Sequence, residues 1–171
     1  MAQNVLIIRS ASYQQLDKNL STIQKHFPDA KLSILTHEHG LDMANKYNDI
    51  DKVYVYSHKG GFNFLNKASN IRKRHFDDVI VLVSNLSGLG FFNVLLFSLT
   101  IKCKRRWICN LVSDLKLTTT LQIMGRGIRN LVYKLISIIG TIFISIFVFM
   151  LLPFMLWCLK DKSYKAGGKH V

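Results

Sequence analysis

The chain has 171 residues, 49% of them hydrophobic and 19% charged, and 23 Lys and Arg against 10 Asp and Glu give it a formal charge of +13. That length suits one ordinary domain with an appendage and excludes two large ones. The excess charge is local: Lys102, Lys104, Arg105, Arg106, Lys116, Arg126, Arg129 and Lys134 stand against the single acid Asp114 just before an apolar run, and without interleaved aromatics for base stacking this argues against nucleic acid as the partner.

Asn4 to Arg9 (NVLIIR) is the kind of aliphatic, β-branched run expected of a strand buried on both faces. A helix follows, because Leu16, Leu20, Ile23 and Phe27 form one apolar stripe that Pro28 stops. Lys31 to Leu35 reads as a second strand, Leu41 to Tyr47 as a short helix with Met43 inward, and Lys52 to Tyr56 as a third strand after the turn Asp49-Ile50-Asp51. Past Gly60 and Gly61, the spacing of Phe64, Leu65, Ala68 and Ile71 predicts a third amphipathic helix ending in Arg72, Lys73 and Arg74. Asp78 to Val83 is the fourth strand. Leu89 to Ile101 is too short to span a bilayer and reads as a helix buried against the sheet, with Trp107 to Val112 as a fifth strand. This alternation marks residues 1–112 as α/β, a Rossmann-like parallel sheet of about five strands with crossover helices.

Residues 113–134 mix polar and apolar side chains, with Gly125 and Gly127 among them, and read as a basic juxtamembrane linker or an interfacial helix. The stretch 135–159 holds no Asp, Glu, Lys, Arg or His. As a helix its 25 residues would reach roughly 37 Å, enough to cross a hydrocarbon core of about 30 Å, so the reading is a C-terminal transmembrane helix. A re-entrant helix bent at Pro153 is the alternative, because the tail 160–171 is also basic. Arg9 interrupts the first apolar run, which is therefore no secretory signal. The expected location is the inner or cytoplasmic membrane, single-pass, with the N-terminal domain in the cytoplasm. Arg105, Arg106, Arg126, Arg129 and Lys134 are membrane-surface candidates, either as a positive-inside anchor or by attracting anionic headgroups. Cys103, Cys109 and Cys158 form no CxxC pair, so neither a disulfide framework nor a zinc site is indicated.

Ligands of open parallel sheets bind at the C-terminal ends of the strands, which directs attention to the loops there. Ser10, Ser12, Lys59, Gly60, Gly61 and Ser87 are candidate acceptor or phosphate contacts, and Lys59-Gly60-Gly61 would combine an ammonium with backbone N–H groups, unless it is a simple turn. His37, Glu38 and His58, with His39 beside them, are the candidates for general acid–base work. His37-Glu38-His39 does not have metal-ligand spacing, and neither metal nor cofactor is expected. The chain carries no GxGxxG after its first strand, no GxxxxGK[ST] and no GxSxG.

Five segments taken in order, NVLIIRSAS (Asn4 to Ser12), KHFPDAKLSILTH (Lys25 to His37), DIDKVYVY (Asp49 to Tyr56), IRKRHFDDVIVLVSNLSGLG (Ile71 to Gly90) and IKCKRRWICN (Ile101 to Asn110), carry a family resemblance. Together they resemble the N-terminal, acceptor-side domain of GT-B glycosyltransferases of the ADP-heptose:lipopolysaccharide heptosyltransferase family, glycosyltransferase family 9. The chain departs from that pattern twice. The family's Gly-Asp pair after the first strand, whose aspartate is regarded as the base, is replaced by Ser12-Tyr13-Gln14-Gln15, and an apolar span stands where the donor-binding domain would begin. The resemblance implies an acceptor-side subunit of a split transferase, acting on a lipid-linked or lipopolysaccharide-type acceptor, with membrane lipid and a donor-domain protein as partners. The alternative is a non-catalytic docking or assembly subunit of a membrane complex.

Overall fold

Alternation of side chains along a strand lets one apolar run feed two cores, and the first strand does this. A computed structural model describes residues 3–66, 68, 70–71, 74–86, 88 and 90–167, with side chains up to Pro153. In β1 (Asn4–Ile8), Val5 and Ile7 enter one core while Leu6 and Ile8 enter the other. Helix α1 (Tyr13–His26) covers the first core with Leu16, Leu20 and Ile23, and Phe27 closes it. The Ser12 hydroxyl caps α1 by accepting from Gln15 N at 3.3 Å. Strand β2 (Lys31–His37) leads through a single 3₁₀ turn to the short helix α2 (Leu41–Ala44), whose Ala44 packs on this same layer while Met43, expected inward, is exposed.

Strands β3 (Lys52–Tyr56), β4 (His75–Leu82), β5 (Lys102–Cys109) and β6 (Leu115–Leu117) complete a six-stranded sheet of order β3-β2-β1-β4-β5-β6. The first five are parallel and β6 is antiparallel to β5. The chain moves outward from β1 to β3, then returns to add β4 on the other side of β1, so the winding direction reverses between β1 and β4.

The second core lies on the other face, under α3 (Phe92–Ser98), Ala68, Ile71 and Ile123. Here the structure corrects several expectations. The predicted helix over Phe64 to Ile71 is absent among the described residues, which form turns. Ala68 and Ile71 are buried as the spacing required, but Leu65 is 80% exposed. Contacts other than helical ones engage the segment: Asn63 Oδ1 accepts from Leu65 N at 3.1 Å, the main-chain carbonyl of Asn66 accepts from Tyr56 OH at 3.1 Å, and Asn70 Nδ2 donates to Val55 O of β3 at 2.8 Å. Helix α3 starts later than expected, at Phe92, because the approach to it passes through Gly88 and Gly90 at φ +73° and +84°. Strand β5 begins at Lys102 rather than Trp107, its basic residues being held by ion pairs and carbonyl oxygens described below.

Residues 113–134 are not a uniform linker. Ser113, at φ +62°, turns the chain into β6, and α4 (Thr120–Gly167) begins three residues after that strand. The chain divides after Gly127 into two units, the sheet unit and the remainder of α4. Pro153 lies inside the helix without ending it. The portion Thr120–Pro153 is long and apolar enough to cross a membrane, with mean hydropathy 2.8 in its most apolar stretch and none of that stretch buried, which is consistent with membrane anchoring.

Candidate functional site

Along the C-terminal ends of β1, β2 and β3 runs a cleft of about 910 Å³. Arg9 and Ser10 enter it from the end of β1, His37, Glu38 and His39 from the end of β2, and His58, Lys59, Gly60 and Gly61 from the loop after β3. Gly90, Phe91 and Asn93, at the start of α3, form another part of the wall. The cleft therefore borders the point where the winding of the sheet reverses, the place where such sheets bind ligands.

Arg9 is the residue that the sequence pattern hides, since it closes an apolar strand. Its Nε donates to Thr36 Oγ1 at 2.8 Å and its Nη1 to the Ala11 carbonyl at 3.1 Å, while the guanidinium lies 4.4 Å from the centroid of the Tyr13 ring. The Tyr13 hydroxyl donates to the Gly40 carbonyl. A Cβ at Gly40 would lie 2.5 Å from Thr36 Oγ1 and 3.0 Å from Arg9 Nη2, so glycine there lets the turn after β2 close over the arginine. A lone cation at the C-terminal end of a buried strand was the available signal.

His37, His39, Tyr56 and His58 form a row of touching rings. Centroids are 5.5 Å apart from His39 to His37, 5.4 Å from His37 to Tyr56 and 5.2 Å from Tyr56 to His58. His37 Nε2 lies 2.7 Å from the Gly60 carbonyl, and because a carbonyl only accepts, that nitrogen carries the proton and Nδ1 is the acceptor of the neutral ring. Burial lowers the His37 pKa from its ordinary 6.5, with His39 and Arg9 pushing the same way and the Gly60 carbonyl opposing them. Glu38 is the sole carboxylate among the described residues that line the cleft. The arrangement offers cations and imidazoles to an anion, and one imidazole nitrogen and one carboxylate as proton acceptors.

The remaining candidates have structural partners or lie outside the cleft. Ser10 Oγ donates to the Leu82 carbonyl, tying the β1 and β4 ends together at the cleft. Ser12 is occupied as the α1 cap, and Ser87 lies outside the described residues. No three His, Cys, Asp or Glu side chains among the described residues converge to hold a metal ion. Arg105 forms a bidentate pair with Asp78, its Nε at 2.8 Å from Oδ1 and its Nη2 at 3.0 Å from Oδ2. Arg106 donates to the Ser98 and Ile101 carbonyls at 3.1 and 2.9 Å, closing the C-terminal end of α3. These contacts account for both cations within the fold, as the 2.7 Å pair with Asp77 does for Lys104. Arg126 is half-buried, with Nη1 unbonded among the described residues, whereas Arg129 and Lys134 are exposed on α4.

No protein-family model, curated protein or solved structure matches the chain. The class defined by fold and site is thus an α/β sheet domain with a cationic, imidazole-lined cleft, joined to a helix apolar enough for a membrane.

Proposed function

We propose that the chain is the membrane-anchored, acceptor-side half of a split GT-B glycosyltransferase, with a Rossmann-like domain acting on a lipid-linked or lipopolysaccharide-type acceptor. The observation that carries this reading is the cleft beside the winding reversal, with Arg9, Lys59 and three histidines at its walls. Acceptors of this class bear phosphate or carboxylate groups, which such walls would hold, and the strand order agrees with the half of a nucleotide-type fold that the sequence suggested. His37 Nδ1 or Glu38 would take the proton of the acceptor hydroxyl, in place of the missing aspartate. A partner protein would supply the donor domain across the cleft.

Purification of the full-length chain in mild detergent, with identification of the proteins that accompany it, tests this. A co-purifying donor domain and sugar transfer to a glycolipid, lost in His37→Gln or Glu38→Gln, is the expected result. Micromolar binding of an ADP-, UDP- or GDP-sugar by the chain alone would overturn the half-enzyme reading. One observation favours the second reading, a docking or assembly subunit: the segment Arg9 to Ser12 after β1 has no carboxylate. A stable complex without transfer would establish it.

A further inference from the structure

The sheet unit ends on the rim that carries the cleft. Thr118 N donates to the Arg106 carbonyl at 2.8 Å, halfway along β5, and Ile123 is buried in the core beneath α3. By Gly127 the chain has reached Phe92, so closely that a Cβ on Gly127 would lie 2.1 Å from the ring. The neighbours of Phe92, Phe91 and Asn93, line the cleft. Arg126 Nη1 lies 3.5 Å from where a Gly88 Cβ would be, in the loop that leaves the C-terminal end of β4. The first two turns of α4 therefore climb from mid-sheet toward the C-terminal ends of the strands, and the chain leaves the unit at that edge.

Lys134 is the last charge before the uncharged run. The seven residues from Gly127 to Lys134 rise only about 10 Å as helix, so no more than that length of chain separates the point where the chain leaves the sheet unit from the start of the uncharged run. Arg129 and Lys134 on this tether suit the headgroup layer. We propose that the cleft takes a phosphate-bearing headgroup from the bilayer in which the chain itself is anchored. The proposal rests on the reading of α4 as an anchor and of the cleft as the binding site, and specifies the ligand chemistry and the direction from which it arrives. Arg9 and Lys59 would meet the phosphoryl oxygens, with His39 and His58 as further donors, while His37 Nε2–H goes on donating to the Gly60 carbonyl. A volume of about 910 Å³ leaves room for a substituent beyond the phosphate.

The test places the full-length chain in nanodiscs of phosphatidylcholine, alone or with phosphatidic acid, and pulses it with diethylpyrocarbonate. Mass spectrometry then reports acylation at each histidine. With phosphatidic acid, labelling of His39 and His58 should slow several-fold, while His75 at the N-terminal end of β4, the end away from the cleft, and His26 at the end of α1 react as before. Lys59→Gln, at an exposed position, should restore the labelling rate without the fold contacts that Arg9→Gln would sever. Equal protection by inorganic phosphate in phosphatidylcholine discs would assign the site to a free anion and overturn delivery from the membrane. Equal slowing at His75 would mean general surface attraction, and unchanged rates at His39 and His58 would mean an empty cleft; both defeat the proposal while leaving the transferase reading to its own test. A chain that does not enter the discs would defeat the anchor and this proposal together.

Discussion

Asp78 is the most deeply placed charge in the sheet, with no exposed side-chain surface, while its partner Arg105 is 51% exposed. The carboxylate accepts from both Arg105 nitrogens, from Trp107 Nε1 at 2.6 Å and from Gln3 Nε2. The Asp78 hydrogen bond holds the Arg105 guanidinium above its ordinary pKa. Removing the two partners should have unequal effects. Arg105→Met strands a buried carboxylate and should cost about 3 kcal/mol or more, whereas Asp78→Asn leaves a guanidinium that water can reach and should cost about 1.5–3 kcal/mol. Urea denaturation of both variants checks the order, and a smaller loss in Arg105→Met would refute it. At His37 the argument concerns pH. Its folded-state pKa is lowered from 6.5, so the unfolded chain binds the proton more tightly, and the stability of the neutral ring is complete above 6.5 and lost as pH falls through the folded value. The stability of the full-length chain in detergent should therefore fall toward that of His37→Gln as the pH is taken below about 6.5. A gap that stays constant or widens would contradict the lowered value.

At the scale of elements, the start of α4 offers a paired comparison. Gly125 and Gly127 lie two residues apart in the same helix, and nothing would lie within 4 Å of a Cβ on Gly125. Gly125→Ala should raise stability by about 0.5–1 kcal/mol through helix propensity alone. Gly127→Ala has the same intrinsic gain but forces the Phe92 ring aside, at a cost of about 1–3 kcal/mol, so it should be neutral or destabilising. Thermal midpoints of the two variants decide it. Because Phe92 lies between two lining residues of the cleft, Gly127→Ala should also alter ligand binding, and Gly125→Ala should not. In the segment after β3 the apolar spacing was sufficient to bury Ala68 and Ile71, but the Asn63 side chain and the Tyr56 hydroxyl gave its backbone other partners, Asn70 tied it to β3, and the helix did not form among the described residues.

For the whole molecule, the division after Gly127 says where a soluble fragment must end. A cut at Ser113, the apparent domain limit in the apolar pattern, removes β6 from its pairing with β5 and Ile123, only 1% exposed, from the core. Burial of one such side chain is worth about 1.5–3 kcal/mol, a large fraction of the stability of a small domain. Residues 1–127 should therefore be recovered soluble and folded, a fragment ending at 113 should aggregate, and the full chain should stay with membranes after carbonate washing. Recovery of the full chain in the soluble fraction would remove the anchor.

What the sequence determined by itself was everything that depends on local pattern. The order of the first five strands, the α1 stripe and the uncharged span at 135–159 follow from periodicity and composition, which act on neighbouring residues, whereas the helix expected between β3 and β4 did not form among the described residues. The loops that hold the cleft were legible for the same reason, because parallel strands place their C-terminal ends together. Tertiary structure decided the rest, where the partner is distant in the chain. Arg9 became a cleft residue only because Thr36 and Gly40 fold over it, and Arg105 and Arg106 became parts of the sheet because Asp78 and the end of α3 lie beside them. Strand β6 is three residues long, too short for any periodicity, and exists because β5 had an open edge. The edge by which the chain leaves the sheet unit was settled by Ile123 and Gly127 against the α3 layer, a packing choice that no stretch of sequence expresses alone.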